Sequence, residues 1–177
     1  MELRPATARD VAAIAALHAD NWRRNYRGAF ADSFLDGDVV ADRVLVWTER
    51  MAHPEAGTCT IVAERAGELM GFAHTRFDDD PVWGALLDNL HVVHDQKGLG
   101  IGTQLMAASA RAVLARPVPT GLYLWVLEQN TPAQAFYAAR AGREVGRGLR
   151  GPFPGGGTAF ALRIAWPDPS VLLAPTT

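Results

Sequence analysis

Three glycines, Gly98, Gly100 and Gly102, stand at alternate positions in the stretch QKGLGIGTQL, and helix-forming sequence follows them directly. Residues that lack a Cβ atom let the backbone approach a ligand closely and point successive N–H groups at it. The first turn of the following helix adds unpaired N–H groups and the positive end of the helix dipole. Thr103, at the start of that helix, can cap it or donate its hydroxyl to the same ligand. The pattern therefore predicts a binding site for an anion, with phosphate as the expected guest.

The spacing of these glycines distinguishes the turn from two common phosphate motifs. A P-loop requires Gly-Lys-Ser/Thr after a four-residue gap, whereas Thr103 and Gln104 follow Gly102 here. In a dinucleotide fingerprint counted from Gly98 and Gly100, the third glycine would fall at Thr103, and the motif would also open the first βαβ unit of the chain. Neither motif fits, and a structural turn without a ligand is the simplest alternative to an anion site.

Two segments of the chain share their pattern with a known family. The first, LHVVHDQKGLGIGTQLM, resembles the acetyl-CoA-binding segment of the GNAT superfamily of N-acyltransferases, which reads Arg/Gln-x-x-Gly-x-Gly/Ala after a strand. Here the pattern runs from Lys97 to Gly102, with lysine in place of the commoner arginine or glutamine and with Gln96 one position earlier. The second, LWVLEQNTPAQAFYAARAGR, is similar to the family's strand, asparagine and Phe-Tyr helix. The resemblance covers roughly residues 3 to 166.

This resemblance implies an α/β protein of the GNAT fold, with a mixed, mostly antiparallel central sheet that is splayed at the acetyl-CoA site and flanked by about four helices. It implies one acetyltransferase domain over residues 1–166, and we expect the C-terminal tail, 167–177, to be loose. It also implies acetyl-CoA as the cofactor and direct transfer to a primary amine, with no metal and no covalent enzyme intermediate. The cofactor-binding residues that it implies are His91, Val92, Val93, Lys97, Gly98, Leu99, Gly100, Ile101, Gly102, Thr103, Asn130 and Tyr137.

Acetyl transfer from a thioester to an amine needs a base for the amine, a donor for the carbonyl oxygen and an acid for the leaving thiolate. Tyr137 can supply the acid, because a phenol with a pKa of about 10 is protonated at neutral pH, and its match to the Phe-Tyr position implies this role. The resemblance assigns the carbonyl donor to main-chain N–H groups of His91, Val92 and Val93. Asn130 matches the family's cofactor-contacting asparagine, although a helix cap or Asx-turn would also suit this position.

Two residues of the strand LLDNLHVV, Asp88 and His91, are candidates for the catalytic base. They are three positions apart, so a regular strand points them to opposite faces, and only one can face the acceptor. His91 has the ordinary pKa closer to neutrality, near 6.5, whereas Asp88 stands where several family members carry an acidic residue. We prefer Asp88; a polar role at the strand end, without catalysis, is the alternative for either residue.

The acceptor pocket is expected beside the end of the first helix. Trp22 and Tyr26 lie at this junction, which borders the substrate in the family, and Trp83 follows an acidic run later in the chain. Core packing is the alternative for each aromatic residue. The acidic run, 78–80, could attract a cationic amine, although a solvated loop is the simpler explanation. These residues do not identify the acceptor, which can be a small-molecule or a peptide amine.

Alternating helices and strands must position these residues. The spacing of apolar residues predicts helices from Val11 to about Tyr26 and from Val39 to Met51, and His53-Pro54 ends the second. A strand–helix–strand–helix–strand order follows the glycine turn. The predicted strands are 60–64, 69–77, 86–93, 122–127 and 158–166, the remaining helices are 103–114 and 132–141, and 78–81 is a loop.

Composition and charge limit the function classes. The chain has 177 residues, 49% hydrophobic and 20% charged, which is typical of one globular domain. A formal net charge of −2 gives no reason to expect nucleic acid or an anionic membrane as a partner. The absence of a long apolar run or a signal-peptide core, together with the lone Cys59, predicts a cytoplasmic protein. The histidine spacing indicates no metal site, and a homodimer, frequent in the family, stays open.

Two other functions fit parts of the pattern. A non-catalytic acyl-CoA-binding or sensory domain would keep the cofactor site without acceptor chemistry. A nucleotide-binding α/β protein would place ATP or NAD at the glycine turn. The presence of Tyr137 favours the N-acetyltransferase over the non-catalytic domain.

Overall fold

The computed structural model describes residues 1–118 and 120–174 and contains one seven-stranded sheet. The strands are β1 (Glu2–Pro5), β2 (Thr58–Arg65), β3 (Glu68–Asp80), β4 (Gly84–Val92), β5 (Leu122–Leu127), β6 (Arg143–Arg150) and β7 (Ala159–Trp166). They lie in the order β1-β2-β3-β4-β5-β7-β6, and only the β4–β5 pair is parallel. The expected fold class, a mixed and mostly antiparallel sheet between helices, is confirmed.

Five α-helices flank this sheet in the described residues. They are α1 (Val11–Asn25), α2 (Asp32–Asp36), α3 (Val39–Ala52), α4 (Ile101–Leu114) and α5 (Thr131–Ala138). On one face, Ile14 of α1 and Trp47 of α3 share a core with Val62 of β2. On the other, Leu105 of α4 shares a core with Ala63. Because successive residues of a strand point to opposite faces, Val62 and Ala63 belong to different cores.

Three short elements, β1, α2 and β6, were not anticipated from the sequence pattern. β6 contains Gly146, Gly148 and four charged residues, a composition that disfavours strands. It forms nonetheless, because it lies at the edge of the sheet and pairs with β7 alone, where its charged side chains stay in solvent.

The segment after β7 is ordered, in contrast to the loose tail that the sequence predicted. Pro169–Leu173 forms a 3₁₀ helix, which Asp168 caps by accepting the Ser170 N–H at 2.9 Å. Leu172 is 6% exposed and joins the core under α4. Pro169 is buried as well, so two buried side chains anchor a segment that is too short for any periodic pattern. Residues 175–177 of the predicted tail lie outside the described residues.

Three buried histidines lie where α1 and α3 pack on the sheet. His18, His74 and His91 are 1%, 4% and 9% exposed. Trp47 Nε1 donates to His18 Nδ1 at 3.0 Å, and His74 Nδ1 lies 2.8 Å from Thr60 Oγ1. Burial is the main cause that lowers the pKa of all three rings, to about 3 for His91 and to about 4 for His74. Each ring is therefore neutral in the folded protein at neutral pH.

The histidines predict a loss of stability in mild acid. Their pKa values are lower in the folded chain than the ordinary 6.5 of the unfolded chain, so the unfolded state takes up protons first as the pH falls. Between pH 7.5 and pH 5, each histidine is expected to lower the free energy of unfolding by about 2 kcal/mol. Urea unfolding at the two pH values measures this difference.

Two variants locate the effect. His91→Gln is expected to reduce the difference between the two pH values by about 2 kcal/mol, whereas His53→Gln, at an exposed position, leaves it unchanged. A free energy of unfolding that is the same at both pH values in the wild type would contradict the neutral histidines.

Candidate active site

β4 and β5 separate soon after their pairing begins. Their ladder joins Ala85 to Leu122 and Leu86 to Tyr123, with no further pair among the described residues. β5 stays paired with β7, and β4 with β3. Two neighbouring strands of one sheet therefore diverge, and a gap opens between residues 87–92 and the end of β5. This is the splay expected of the sheet.

The main chain of β4 turns one of the three predicted amides towards the gap. Val93 donates its N–H to the Met70 carbonyl of β3 at 2.9 Å, which makes this a hydrogen-bonded pair. Such pairs alternate along an antiparallel ladder, so His91 also bonds to Phe72, and the N–H and carbonyl of Val92 turn away from β3. Val93 is therefore bonded within the sheet, and the role of the three amides towards a substrate carbonyl stays a prediction. Only the Val92 amide faces the gap.

Asn21 of α1 is a polar residue at this gap that the sequence reasoning missed. Its side chain is buried, and its Nδ2 donates to the Leu17 carbonyl at 3.0 Å and lies 3.5 Å from the Val92 carbonyl. The amide thus joins α1 to the strand beside the free N–H. An asparagine within the apolar face of a helix, between Leu17 and Trp22, is the signal that could have located it.

The glycine turn lies at the end of β4. Gly98 and Gly100 have φ of +81° and +79°, which favours glycine. The first bond of α4 runs from Gln104 N to the Gly100 carbonyl at 3.0 Å, so the N–H groups of the first three helical residues have no helical partner. A Cβ added to Gly98 would meet no atom within 4 Å, so the turn borders open space that fits a compact anion such as a diphosphate. The exposed residues of the turn are Lys97, Gly98, Leu99 and Gly100.

Gly102 and Thr103 have structural partners that the sequence did not predict. A Cβ on Gly102 would lie 3.1 Å from Phe136 Cζ, so glycine is needed there for packing. Thr103 does not cap α4; its Oγ1 accepts from Arg140 Nε at 3.0 Å and from Arg140 Nη2 at 2.6 Å. The same guanidinium lies 3.7 Å from the Phe136 ring centroid. Arg140 thus adds a positive charge beside the first turn of α4, and its i+4 spacing from Phe136 is the signal that could have located it.

Two tyrosines and one carboxylate lie within electrostatic reach of one another. Tyr137 is 9% exposed and packs against Trp166, and burial followed by the nearby Tyr26 raises its pKa well above the usual 10. Burial followed by the charge of Asp88 raises the pKa of Tyr26 to about 12. Both phenols are therefore protonated at neutral pH and can act as hydrogen-bond donors.

Asp88 occupies a β-bulge. The β3–β4 ladder shifts its register between His74 and Thr75, which leaves Asp88 as an extra residue of β4 without a partner on β3. A bulge bends the strand and changes the direction of the side chains that follow. No local feature of the stretch LLDNLHVV predicts this bulge.

The bulge brings Asp88 and His91 to the same face of the sheet. Asp88 Oδ2 lies 3.1 Å from Arg50 Nη2 of α3, and the His91 ring lies 4.7 Å from the His18 ring of α1. Since α1 and α3 pack on one face, the predicted opposite orientation is wrong, and the extra residue is the physical reason. Burial and the charge of Lys97 lower the pKa of His91 to about 3, so its ring is neutral at the pH of the reaction.

Asn130 caps α5. Its Oδ1 accepts the Ala133 N–H at 3.4 Å, which is the alternative weighed from the sequence. The side-chain Nδ2 has no protein partner in the described part of the chain. Both roles are thus compatible, with the oxygen on the helix and the amide nitrogen towards a ligand.

The three aromatic residues predicted for the acceptor pocket lie in different surroundings. Trp22 is 8% exposed and belongs to the core, with the Arg43 guanidinium 4.2 Å from its ring centroid. Tyr26 is half-buried and is the one that lies near Asp88 and Tyr137. Trp83 lies in the β3–β4 turn, with the Arg163 guanidinium 5.9 Å from its ring centroid.

The glycine-rich loop between β6 and β7 packs on the connection that follows α1. Phe153 stacks on Phe30 with 4.6 Å between ring centroids and 21° between planes. A Cβ on Gly157 would lie 2.3 Å from the Ala29 carbonyl oxygen, so the two backbones are in direct contact. The loop and the connection thereby form one wall beside the end of α1.

The acidic run is strand and turn instead of the predicted loop. β3 continues to Asp80, which accepts two main-chain N–H groups of the following turn at 2.8 and 3.0 Å. Asp79 accepts the Tyr123 hydroxyl, and Asp78 pairs with Arg116 at 3.0 Å. Each aspartate has a partner, so the run is not a free acidic patch for a cationic amine.

Within residues 1–118 and 120–174, no cluster of three or more His, Cys, Asp or Glu side chains could hold a metal ion. In the same residues, no helix has the length and apolar character needed to cross a membrane.

The amino-acid sequence is similar to those of known proteins. The family model described as "Acetyltransferase (GNAT) family" matches residues 14–142. The Bacillus subtilis protein named "Uncharacterized N-acetyltransferase YuaI" is 25% identical over 174 residues, which cover 96% of this chain and 95% of the relative. The "Probable N-acetyltransferase Rv2775" of Mycobacterium tuberculosis is 27% identical over 143 residues, or 77% of this chain and 76% of the relative.

Solved structures share the fold. A GCN5-related N-acetyltransferase from Rhodopseudomonas palustris superposes with a TM-score of 0.72 at 22% identity, covering 93% of each chain. The PaiA N-acetyltransferase of Thermoplasma acidophilum, in complex with coenzyme A, superposes with a TM-score of 0.70 at 15% identity, covering 93% of this chain and 98% of that one. With a family match that spans most of its length, the chain belongs to the GNAT family of acetyltransferases.

Proposed function

We propose that the protein transfers the acetyl group of acetyl-CoA directly to a primary amine. The observation that carries this proposal is the gap between β4 and β5, with the Val92 amide at its edge and the glycine turn at its end. Two relatives are named as an uncharacterized and a probable N-acetyltransferase, and one structural neighbour was crystallised with coenzyme A, which supports the cofactor. The lone cysteine and the cofactor favour the cytoplasm as the compartment.

The residues of the gap suit each part of acetyl-CoA. The unpaired N–H groups at the start of α4 and the charges of Lys97 and Arg140 would hold the diphosphate. The Val92 amide would donate to the thioester carbonyl, and the Asn130 side-chain nitrogen is free for a further contact. Bound there, acetyl-CoA supplies the thioester and the thiolate leaving group.

Asp88 would handle the proton of the incoming amine. A lysine-like amine has a pKa of about 10.4, so its deprotonation at neutral pH costs about 4–5 kcal/mol. The Asp88 carboxylate lies near the Tyr26 phenol and is held by Arg50, and it can accept the proton directly or through water. Tyr137 would then donate its phenolic proton to the leaving thiolate, which has a free pKa near 8.5.

A non-catalytic acyl-CoA-binding domain is the remaining alternative from the sequence. It would bind the cofactor at the same turn and release no thiol when an amine is added. The half-buried Asp88 carboxylate near the protonated Tyr26 phenol favours the enzyme, because acceptor chemistry needs a proton acceptor at this position and a binding domain does not.

Substitution of Gly98 tests the cofactor turn. In Gly98→Ala, the new Cβ would enter the space predicted for the diphosphate, and we expect the Kd of coenzyme A to rise at least about tenfold, which is about 1.4 kcal/mol. Gly67→Ala is a matched control, because Gly67 has a φ of +83°, no atom within 4 Å of the added Cβ, and a position in the β2–β3 turn. Calorimetric titration measures both variants. Equal Kd values for the two variants and the wild type would exclude the turn from cofactor binding.

Tyr137→Phe tests the acid. The loss of the phenolic proton donor is expected to lower kcat about 100-fold, the usual contribution of a positioned acid, while the Kd of acetyl-CoA changes little. Free-thiol release measures kcat, and a thermal-shift titration measures cofactor binding. Turnover equal to that of the wild type would remove Tyr137 from the mechanism.

Asp88→Asn and His91→Gln test the base. We expect Asp88→Asn to lower kcat/KM about 100-fold and to abolish the acid limb of its pH profile. His91→Gln should keep the acid limb, because its ring is already neutral over this range. If His91→Gln loses the limb and Asp88→Asn keeps it, the base has been misassigned.

A further inference from the structure

A polar cavity of about 370 Å³ lies at the C-terminal end of α3, between that helix and β3. Its volume falls at the lower end of the range for small-molecule sites, so it suits a compact ligand. The residues that matter for its chemistry are Glu49, Arg50, Glu55, Thr58, His74 and Arg76. Of these residues, Arg50 takes part in the proposed acetyl transfer through its contact with Asp88.

The charges of the cavity are arranged unevenly. The side chains of Arg50 and Arg76 are 32% and 48% exposed, whereas that of Glu49 is 76% exposed and Glu55 is also exposed. His74 is buried and neutral and adds no charge. The two glutamates are therefore solvated at the rim, where they contribute little. Arg50 and Arg76 form the less exposed wall, and each already lies 3.1 Å from a carboxylate, that of Asp88 and that of Asp79 respectively. Each guanidinium keeps further N–H donors, so an anionic group still fits this wall.

Arg50 connects the cavity to the candidate active site. Its Nη2 lies 3.1 Å from Asp88 Oδ2 and its Nη1 donates to Asn89 Oδ1 at 3.2 Å, while its guanidinium lies 4.9 Å from the Trp47 ring centroid. These contacts fix the plane of the guanidinium. A guanidinium has five N–H donors, and Nε has no partner in the described part of the chain. One edge can therefore bind a carboxylate of a ligand while the other holds Asp88.

We propose that Arg50 and Arg76 bind a carboxylate of the acceptor in this cavity, so that the enzyme acetylates small amino acids in preference to polyamines and simple amines. The inference rests on the proposed function, because it takes Asp88 as the group that receives the amine. The carboxylate of the acceptor binds one edge of the Arg50 guanidinium, and its amine binds Asp88, which lies at the other edge. The amine and the carboxylate are thus separated by only a few bonds.

A second cationic region lies on the other side of the gap and offers a competing location. The Arg150 guanidinium lies 4.6 Å from the Trp125 ring centroid, and Arg163 lies 4.7 Å from the same centroid. Arg163 pairs with Asp80 at 3.7 Å, as Arg76 does with Asp79 at 3.1 Å, and Arg150 is the second cation of this region to compare with Arg76. Substitution of one arginine at a time distinguishes the two regions.

The experiment measures free-thiol release from acetyl-CoA with matched acceptors. Each set contains an amino acid, its primary amide and the corresponding decarboxylated amine. The amino acids are glycine, β-alanine, γ-aminobutyrate, L-alanine, L-glutamate and L-lysine. Spermidine serves as the polyamine. We expect at least one amino acid to have a kcat/KM 30-fold or more above its amide and its decarboxylated amine. Arg76→Gln should reduce this preference about tenfold through KM with kcat retained.

Two control variants complete the test. Arg150 lies outside the cavity, and Arg111 lies on the exposed side of α4. The variants Arg150→Gln and Arg111→Gln should therefore keep the wild-type preference for the amino acid over its amide and amine. Amides and amines that react as well as the amino acids would overturn the carboxylate site and leave the acetyltransferase intact. Loss of the preference in Arg150→Gln with retention in Arg76→Gln would move the site to β6 and overturn this location. Thiol release that none of the acceptors increases above the acceptor-free rate would refute the proposed function together with this inference.

Discussion

The parallel pairing of β4 and β5 is the constraint on which the rest of the site depends, because it spans only two residue pairs. Beyond it, the main-chain groups of β4 that face β5 have no strand to bond with. Unpaired polar groups inside a fold cost about 1–3 kcal/mol each unless water or a ligand satisfies them. The gap therefore holds polar main-chain groups that water or a ligand can satisfy. The two helices that follow β4 and β5 place their N-terminal ends beside it, with the glycine turn at one and Asn130 at the other.

The bulge at Asp88 sets the chemistry of the same gap. One extra residue brings a carboxylate onto the face where α1 and α3 pack, and Arg50 holds it there. The histidines around it are neutral because burial lowers their pKa values, so they neither compete for the proton nor add positive charge. This leaves Arg50 as the cation that adjoins Asp88. A single guanidinium then links the transfer site to the polar cavity.

The sequence predicted the features that depend on local pattern. Glycine spacing located the turn, and apolar spacing located α1, α3 and the central strands. Features that depend on tertiary context were missed or wrong. The bulge at Asp88 places His91 on the same face as Asp88, although the sequence predicted opposite faces. Hydrogen-bonded pairs alternate along the β3–β4 ladder, which leaves only Val92 of the three residues with a free amide.

Long-range partners explain the other differences. Arg50 and Arg140 were overlooked, because their importance comes from contacts with Asp88 and Thr103, which lie far from them in the chain. The acidic run of β3 received its partners from distant arginines and a tyrosine for the same reason. A strand rich in glycine and charge, such as β6, forms only because a neighbour supplies its hydrogen bonds.

A crystal structure of the protein with coenzyme A tests the central claim most directly. We expect the pantetheine arm to lie between β4 and β5 and bond to the main chain of Val92. The diphosphate should contact the N–H groups that follow Gly98, and the sulfur should lie within hydrogen-bonding distance of the Tyr137 phenol. Coenzyme A bound elsewhere, with the gap filled by water alone, would contradict the account.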